Sequence, residues 1–380
     1  MPAKKSMPAK KSPSAKTSKK TKSLLTPTSI DFLETLINTP SPTGHEYTGQ
    51  KIRLDYITKY VDTTRTDIYG TAVAVINPIA KYKVVIEAHC DEISRYVNYI
   101  TDNGLIYVIR NGGSDHLTAP SKRVNIRTPK WPVKALFGWP AIHTRKPLDK
   151  EETPKVENIT LDCGCTSKAE VEKLGIFVGC VITYEDKFMI LNEKYFVGRA
   201  LDNRAGWFMI AEVARLLTEN KKTLPFGLYI VNSVQEEIWL RGAEMIADSI
   251  SPDVAIVTDV CHDTSTPMIK KEIEGETLCG KWPVLSYAPA VHNKLRDHLI
   301  SVAEKNKIWF QRMASSRSTG TDTDAFAYSK WGIPSVLISL PLRYMHTTVE
   351  MVHQDDVSQI INLIYQTLLT LKASQSRKYH

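Results

Sequence analysis

Residues 226–237, FGLYIVNSVQEE, decide the fold. A mostly apolar run, without strict polar alternation, stops abruptly at Glu236-Glu237. Short runs of this kind mark strands buried on both faces, as in a parallel sheet. Two further runs repeat the pattern. Val84-Val85-Ile86 precedes His89, and Val254 to Val257 precede Asp259. In open α/β sheets ligands bind at the carboxyl ends of the strands. The three runs therefore deliver imidazole and carboxylate groups to one rim.

Working outward, Thr28 with Asp31 is expected to cap a helix through Leu33, Leu36 and Ile37. Residues 40–44, PSPTG, break it, and a second helix runs through Ile52, Leu54, Ile57 and Val61. Further strands are expected at 71–76, 82–88 and 334–340. Helices are expected at 204–217, 241–249, 293–306 and 355–372, the last with a core-facing stripe of Ile360, Ile361, Leu363, Ile364, Leu368 and Leu371. Such alternation implies an α/β fold, a mostly parallel mixed sheet flanked by helices. Residues 94–194 change character. Asp102-Asn103-Gly104 between two apolar runs is a hairpin signal, Tyr, Val, Ile and Thr dominate, and one helix is expected at 167–174. We read this stretch as a small β-barrel-like domain inserted into a catalytic body of residues 24–93 and 195–374.

The chain has 380 residues, 42% hydrophobic and 24% charged, enough for a sizeable core and one or two domains. Its net charge of +8 would suit a nucleic-acid binder, but residues 1–22 hold eight lysines and no acid. Without them, 41 basic side chains face 41 acidic ones, so the body is neutral. The Lys-rich segment 1–23, with its MPAKKS repeat, reads as a disordered tail; weak polyanion contact there is the lesser alternative. No apolar run reaches the roughly 18 residues of a membrane span, and no secretory signal is apparent. None of the six cysteines forms a CxxC pair, which suits reduced thiols in a cytoplasmic protein. Cys163-Gly164-Cys165 alone is a weak metal signal and reads as core or loop.

The chemistry lies in seven residues. In His89-Cys90-Asp91, positions two apart on an extended strand end face the same side, so Asp91 can orient the His89 ring through its second nitrogen. Of the adjacent Glu236 and Glu237, one can bind a metal while the other faces the attacked water. Two adjacent carboxylates suit glycoside cleavage poorly, since that needs groups facing each other across a substrate. Each residue alone also has an ordinary reading. HxD and the glutamate pair could face solvent, Asp202 could cap a helix, and Asp259 and His346 could sit in loops. Together, three acids and two histidines with a spare Asp and Glu match a two-metal hydrolase in which one carboxylate bridges the ions.

Seven motifs carry a family resemblance in order: AHCDEI (88–93), GRALDNRAG (198–206), QEEIWLRGA (235–243), VTDV (257–260), GKWPVL (280–285), TGTDTDAF (319–326) and RYMHT (343–347). The chain resembles the M42 family of metallo-aminopeptidases from about residue 28 to 372. The resemblance implies that Asp202 bridges two divalent ions, Zn²⁺ or alternatively Co²⁺. His89 and Asp259 would complete one site, and Glu237 and His346 the other. Glu236 would be the general base and then acid, and Asp91 would orient His89. The activity implied is hydrolysis of the N-terminal residue of short peptides, by a homo-oligomer that is often a dodecamer assembled through the inserted domain. Where the family usually has Met, Gly, a smaller residue and Gly, this chain has Cys90, Ser94, Trp239 and Trp282. Arg317 and Arg343 are candidates for a pocket wall, against ordinary surface ion pairing. A deacylase or carboxypeptidase of the same type is the alternative enzyme, and a scaffold with a polyanion-binding tail the alternative class.

Overall fold

A computed structural model describes residues 24–145, 152–330 and 332–373. The expected tail, 1–23, lies outside the described residues, as do 146–151 within the expected insert and residue 374 at the end of the expected body. The chain opens with α1 (Pro27–Asn38), α2 (Tyr47–Ile57), β1 (Thr63–Thr66), β2 (Ala72–Ile76) and β3 (Lys83–Glu87). It then passes through β4 (Ser94–Ile100), β5 (Ile106–Asn111), β6 (Arg123–Arg127), β7 (Pro132–Phe137), β8 (Thr160–Asp162), α3 (Lys168–Lys173) and β9 (Val181–Tyr184). Next come β10 (Met189–Leu191), β11 (Tyr195–Gly198), α4 (Leu201–Glu219), β12 (Gly227–Asn232), α5 (Arg241–Ile250), β13 (Val254–His262) and α6 (Lys271–Glu274). The last elements are β14 (Val284–Tyr287), α7 (Asn293–Lys305), β15 (Gln311–Ala314), α8 (Asp322–Ala327), β16 (Ser335–Leu342), β17 (Glu350–His353) and α9 (Gln354–Thr370).

Eight strands form the main sheet in the order β1-β2-β12-β3-β13-β16-β14-β15. Its centre, β12-β3-β13-β16, is parallel throughout. Antiparallel joints flank it, β2 on β12 and β14 on β16. The apolar runs that announce β3, β13 and β16 are buried along almost their full length, and their β-branched residues suit a pleated surface covered on both faces. Helices α4 and α9 pack together and against the sheet. The α9 stripe of Ile360, Ile361, Leu363, Ile364 and Leu368 is fully buried, each side chain contributing about 1.5–3 kcal/mol by leaving water. Thr26, not Thr28, caps α1. Its hydroxyl accepts the Ser29 N–H at 3.1 Å, and Pro27 takes the first helical position, where it has no needed N–H to lose and its fixed φ suits a helix start.

Six antiparallel strands close a barrel in the order β4-β5-β8-β7-β6-β9. Alternating positions of β7 point inward, as closure requires. They join Val97, Ile106, Val124, Phe137 and Leu161 in a core separate from that of the main sheet. The β4–β5 hairpin turns at Gly104, whose φ is +84° and where a Cβ would stand 2.6 Å from the Cys165 carbonyl oxygen, so glycine is required there. A small antiparallel sheet, β10-β11-β17, ties the exit from the barrel to the end of the chain. In its register Gly198 faces Glu350. Among the described residues no helix is long and apolar enough to cross a membrane.

Candidate metal centre

The extended chain beyond β3 carries His89 and Asp91. It stays alongside the end of β12 and the residue that follows because Ala88 N–H donates to the Val231 carbonyl and Cys90 N–H to that of Ser233. Asp259 stands in β13, opposite Ser339 of β16. Asp202 does not cap α4; it and Asn203 have non-helical backbones at the start of that helix, and the peptide between them is cis. Asn203 fixes this corner. Its Nδ2 donates to the Thr258 carbonyl at 2.8 Å and its Oδ1 accepts the Gly206 N–H at 3.1 Å. A Cβ on Gly206 would collide with that same Oδ1. Glu236 and Glu237 lie in a single 3₁₀ turn after β12, and His346 follows β16 in the loop before β17.

The fold brings all seven residues to one place. Asp202 lies between the two histidines, Oδ1 at 3.1 Å from His89 Nε2 and Oδ2 at 3.3 Å from His346 Nε2. Asp259 Oδ1 and Glu236 Oε2 are each 3.8 Å from His89 Nε2. Glu237 Oε2 is 3.6 Å from His346 Nε2. Two sets therefore have ligand atoms within 4.8 Å of one another: His89, Asp202 and Asp259, and Asp202, Glu237 and His346. Asp202 belongs to both.

Electrostatics show what this cluster requires. Burial pushes Asp259 up to about 8, with Asp202 adding to it against the opposing charge of His89. Burial likewise holds Glu236 and Glu237 well above the usual carboxylate range, helped by Asp259 around the first and by Asp202 around the second. Asp202 alone goes down. Burial opposes its ionisation, but the hydrogen bonds and charges of His346 and His89 outweigh that. For His346, burial is outweighed by Asp202 and Glu237, which lift it to about 10. Carboxylates packed this closely in a buried space demand positive charge. A pair of divalent cations at the two triads would supply it, and the mixed N/O donor set fits such ions.

Asp91 does more than face His89. Its Oδ1 is 3.3 Å from His89 Nδ1 and accepts the backbone N–H of Glu236 at 3.0 Å. Its Oδ2 accepts the N–H of Glu237 at 3.2 Å and the Thr43 hydroxyl at 2.9 Å. Sequence reading missed Glu350, which accepts the N–H of His346 at 2.8 Å through Oε1 and that of Asp202 at 3.1 Å through Oε2. Glu87 and Asp322 were also missed. The Ser233 hydroxyl lies 2.6 Å from Glu87 and 2.7 Å from Asp322. One hydroxyl has one proton to donate, so a carboxyl proton must serve the other contact; burial and the neighbouring Asp322 hold Glu87 well above its ordinary range. Glu92 is buried with Arg199 and Arg204 as its partners. Arg343 donates to Asp263 at 3.0 Å, and Arg317 is exposed outside the cleft lining.

The barrel's return loop backs two of the candidate ligands. After β5 the chain returns at Gly112 and Gly113, where a Cβ would lie 3.2 Å from Glu237 Cβ and 2.7 Å from His346 Nδ1 respectively. The site opens into a cleft of about 1320 Å³ whose lining includes both triads, Trp239 and Met268.

A mixed sheet with an inserted barrel and two candidate metal triads at its rim is the architecture of a metallopeptidase. The M42 glutamyl aminopeptidase family model matches residues 70–363, and the chain belongs to that family; it is an aminopeptidase, a hydrolase of peptide bonds. It is 32% identical over 345 residues to the lysyl aminopeptidase of Pyrococcus furiosus, covering 90% of this chain and 97% of that one. The crystal structure of the TET aminopeptidase from the marine sediment archaeon Thaumarchaeota archaeon SCGC AB-539-E09 matches with a TM-score of 0.86 at 28% identity, covering 90% of this chain and 96% of that one. PhTET1 of Pyrococcus horikoshii, a dodecamer in its crystal, matches with a TM-score of 0.80 at 25% identity over 90% of this chain and 99% of its own.

Proposed function

We propose that this aminopeptidase removes the N-terminal residue of short peptides at a pair of divalent ions held by His89, Asp202, Glu237, Asp259 and His346. The observation that carries the reading is the division of Asp202, one oxygen toward His89 and the other toward His346. In this assignment Asp202 would be shared by both positions, with His89 and Asp259 completing one and Glu237 and His346 the other. Bound there, Zn²⁺ or Co²⁺ would polarise the scissile carbonyl and lower the pKa of a water. Glu236 would take a proton from the attacking water and pass it to the leaving amine. Burial holds its carboxyl above the ordinary range, which favours proton uptake over that of a weaker base. Asp91 orients His89 and the turn bearing both glutamates. An acid beside the centre receives the free α-amine of the peptide.

Residues 24–93 and 195–374 would form the catalytic body, and 94–194 an insert that joins copies of the chain into a homo-oligomer. The exposed apolar side chains Trp131, Leu136, Ile142, Phe177 and Val178 of the inserted segment support that role, and the dodecamer of PhTET1 suggests its size. All six cysteines are unpaired, in keeping with a cytoplasmic enzyme. Neither a membrane nor a nucleic acid is assigned as partner, beyond weak tail contacts.

The test is a panel of aminoacyl chromogenic substrates and short peptides, free or N-acetylated, on chelated enzyme given back Zn²⁺ or Co²⁺. Metal-dependent release of the N-terminal residue from the free peptides alone is expected. Cleavage of the acetylated forms, or full activity after chelation, would overturn the proposal.

A further inference from the structure

Trp239 stands two residues beyond Glu237 and is 80% exposed. Its φ is +86°, a left-handed conformation that bulky residues rarely enter. Met268 has a φ of +78° and is 97% exposed. Both line the cleft beside the candidate triads, together with Ile273, itself 72% exposed. These side chains gain almost nothing from burial, and two of them sit on strained backbone. For folding alone, glycine would serve better at 239 and 268. Strain kept at the edge of a site, without packing to compensate, points to a use in binding.

Position decides which part of a ligand they meet. The residues assigned to the metals are buried or half-buried, while Trp239, Met268 and Ile273 form the open rim. In an aminopeptidase the α-amine and scissile bond go deep among the acids and the rest of the peptide trails outward. We infer that Trp239, with Met268 and Ile273, is a platform for aromatic or apolar side chains on the leaving side of the scissile bond. Ring stacking on Trp239 and sulfur–aromatic contact with Met268 supply the recognition. The inference rests on the aminopeptidase reading above.

The test measures binding apart from turnover. Metal-loaded Glu236→Gln protein is titrated calorimetrically with Ala-Phe-Phe-amide and Ala-Gly-Gly-amide. The Phe peptide should bind about tenfold tighter. Adding Trp239→Gly should abolish that preference, and Met268→Gly should reduce it. Because the glycine relieves strain, the melting temperature of Trp239→Gly should not fall and its assembly mass should not change. A preference kept in Trp239→Gly overturns the platform. So does a fall of several degrees, which would make the ring a packing element, or a smaller assembly, which would make it a subunit contact. Failure of the aminopeptidase reading looks different: wild-type enzyme would release no alanine from either peptide, whatever their relative affinities.

Discussion

The carboxylate of Asp91 accepts the backbone N–H of Glu236 across 3.0 Å. The same group accepts the N–H of Glu237 and faces the His89 ring, so one buried side chain positions residues from two strand ends. An amide in its place keeps one acceptor oxygen and turns an NH₂ toward a former donor. Asp91→Asn should remain folded but bind metal about 10–100-fold more weakly. Competition with a chelator of known affinity measures this, and an unchanged dissociation constant would contradict the positioning role.

Glu236 takes part in neither triad. Glu236→Gln should therefore retain the metal content of the wild type by elemental analysis, while kcat falls by about 10²–10⁴-fold. Activity within tenfold of wild type would remove Glu236 from the proton path.

Gly113 lets the barrel loop lie against His346. A methyl group there would stand 2.7 Å from Nδ1 and 2.8 Å from Cε1 of that ring, well inside contact distance. Gly113→Ala should push His346 aside, lowering affinity for one ion of the pair and leaving the other near its wild-type value. Two-step metal titration reads this directly; two unshifted steps would show that the loop yields instead.

Glu46 has a pH signature. Burial raises its carboxyl from 4.5 to about 7, and the charge of Asp91 adds to the effect. The folded state therefore binds a proton that the unfolded state releases, and stability falls as pH rises through that window. Glu46→Gln keeps an acceptor for the Gly44 N–H and removes the charge. In chelated protein the variant should be more stable than wild type at pH 8, by roughly 2–3 kcal/mol, with the gap closing below about pH 4.5. Denaturant titration across this range provides the measurement; a gap independent of pH would assign the effect to something other than ionisation.

The parts of the fold legible in the sequence are those where one local rule decides. Strands β3, β12, β13 and β16 show as unalternating apolar runs because both faces are covered. Short strands toward one end of the sheet escape that rule. Gln311–Ala314 alternates between half-buried and exposed over four residues, and Val284–Tyr287 is equally short. Two threonines flank Pro27, and only the proline's position in the helix tells the cap at Thr26 from Thr28. Glu350 was invisible for another reason. A strand pairing with Gly198, far away in sequence, brings its carboxylate to the N–H of Asp202, and nothing beside it signals a role. The burial of Glu92 between Arg199 and Arg204 is likewise a product of chain crossing.

The route through the barrel sets limits on remodelling. The chain enters at Ser94, just after Asp91, and the loop following β5 brings Gly112 and Gly113 back against Glu237 and His346. Cutting out the barrel to obtain a minimal catalyst would strip the backing from Glu237 and His346. Transplanting a barrel from another protein would succeed only if its own loop returned with comparable slimness. In this molecule the part that looks detachable has been sewn into the working part, and the two can be redesigned only together.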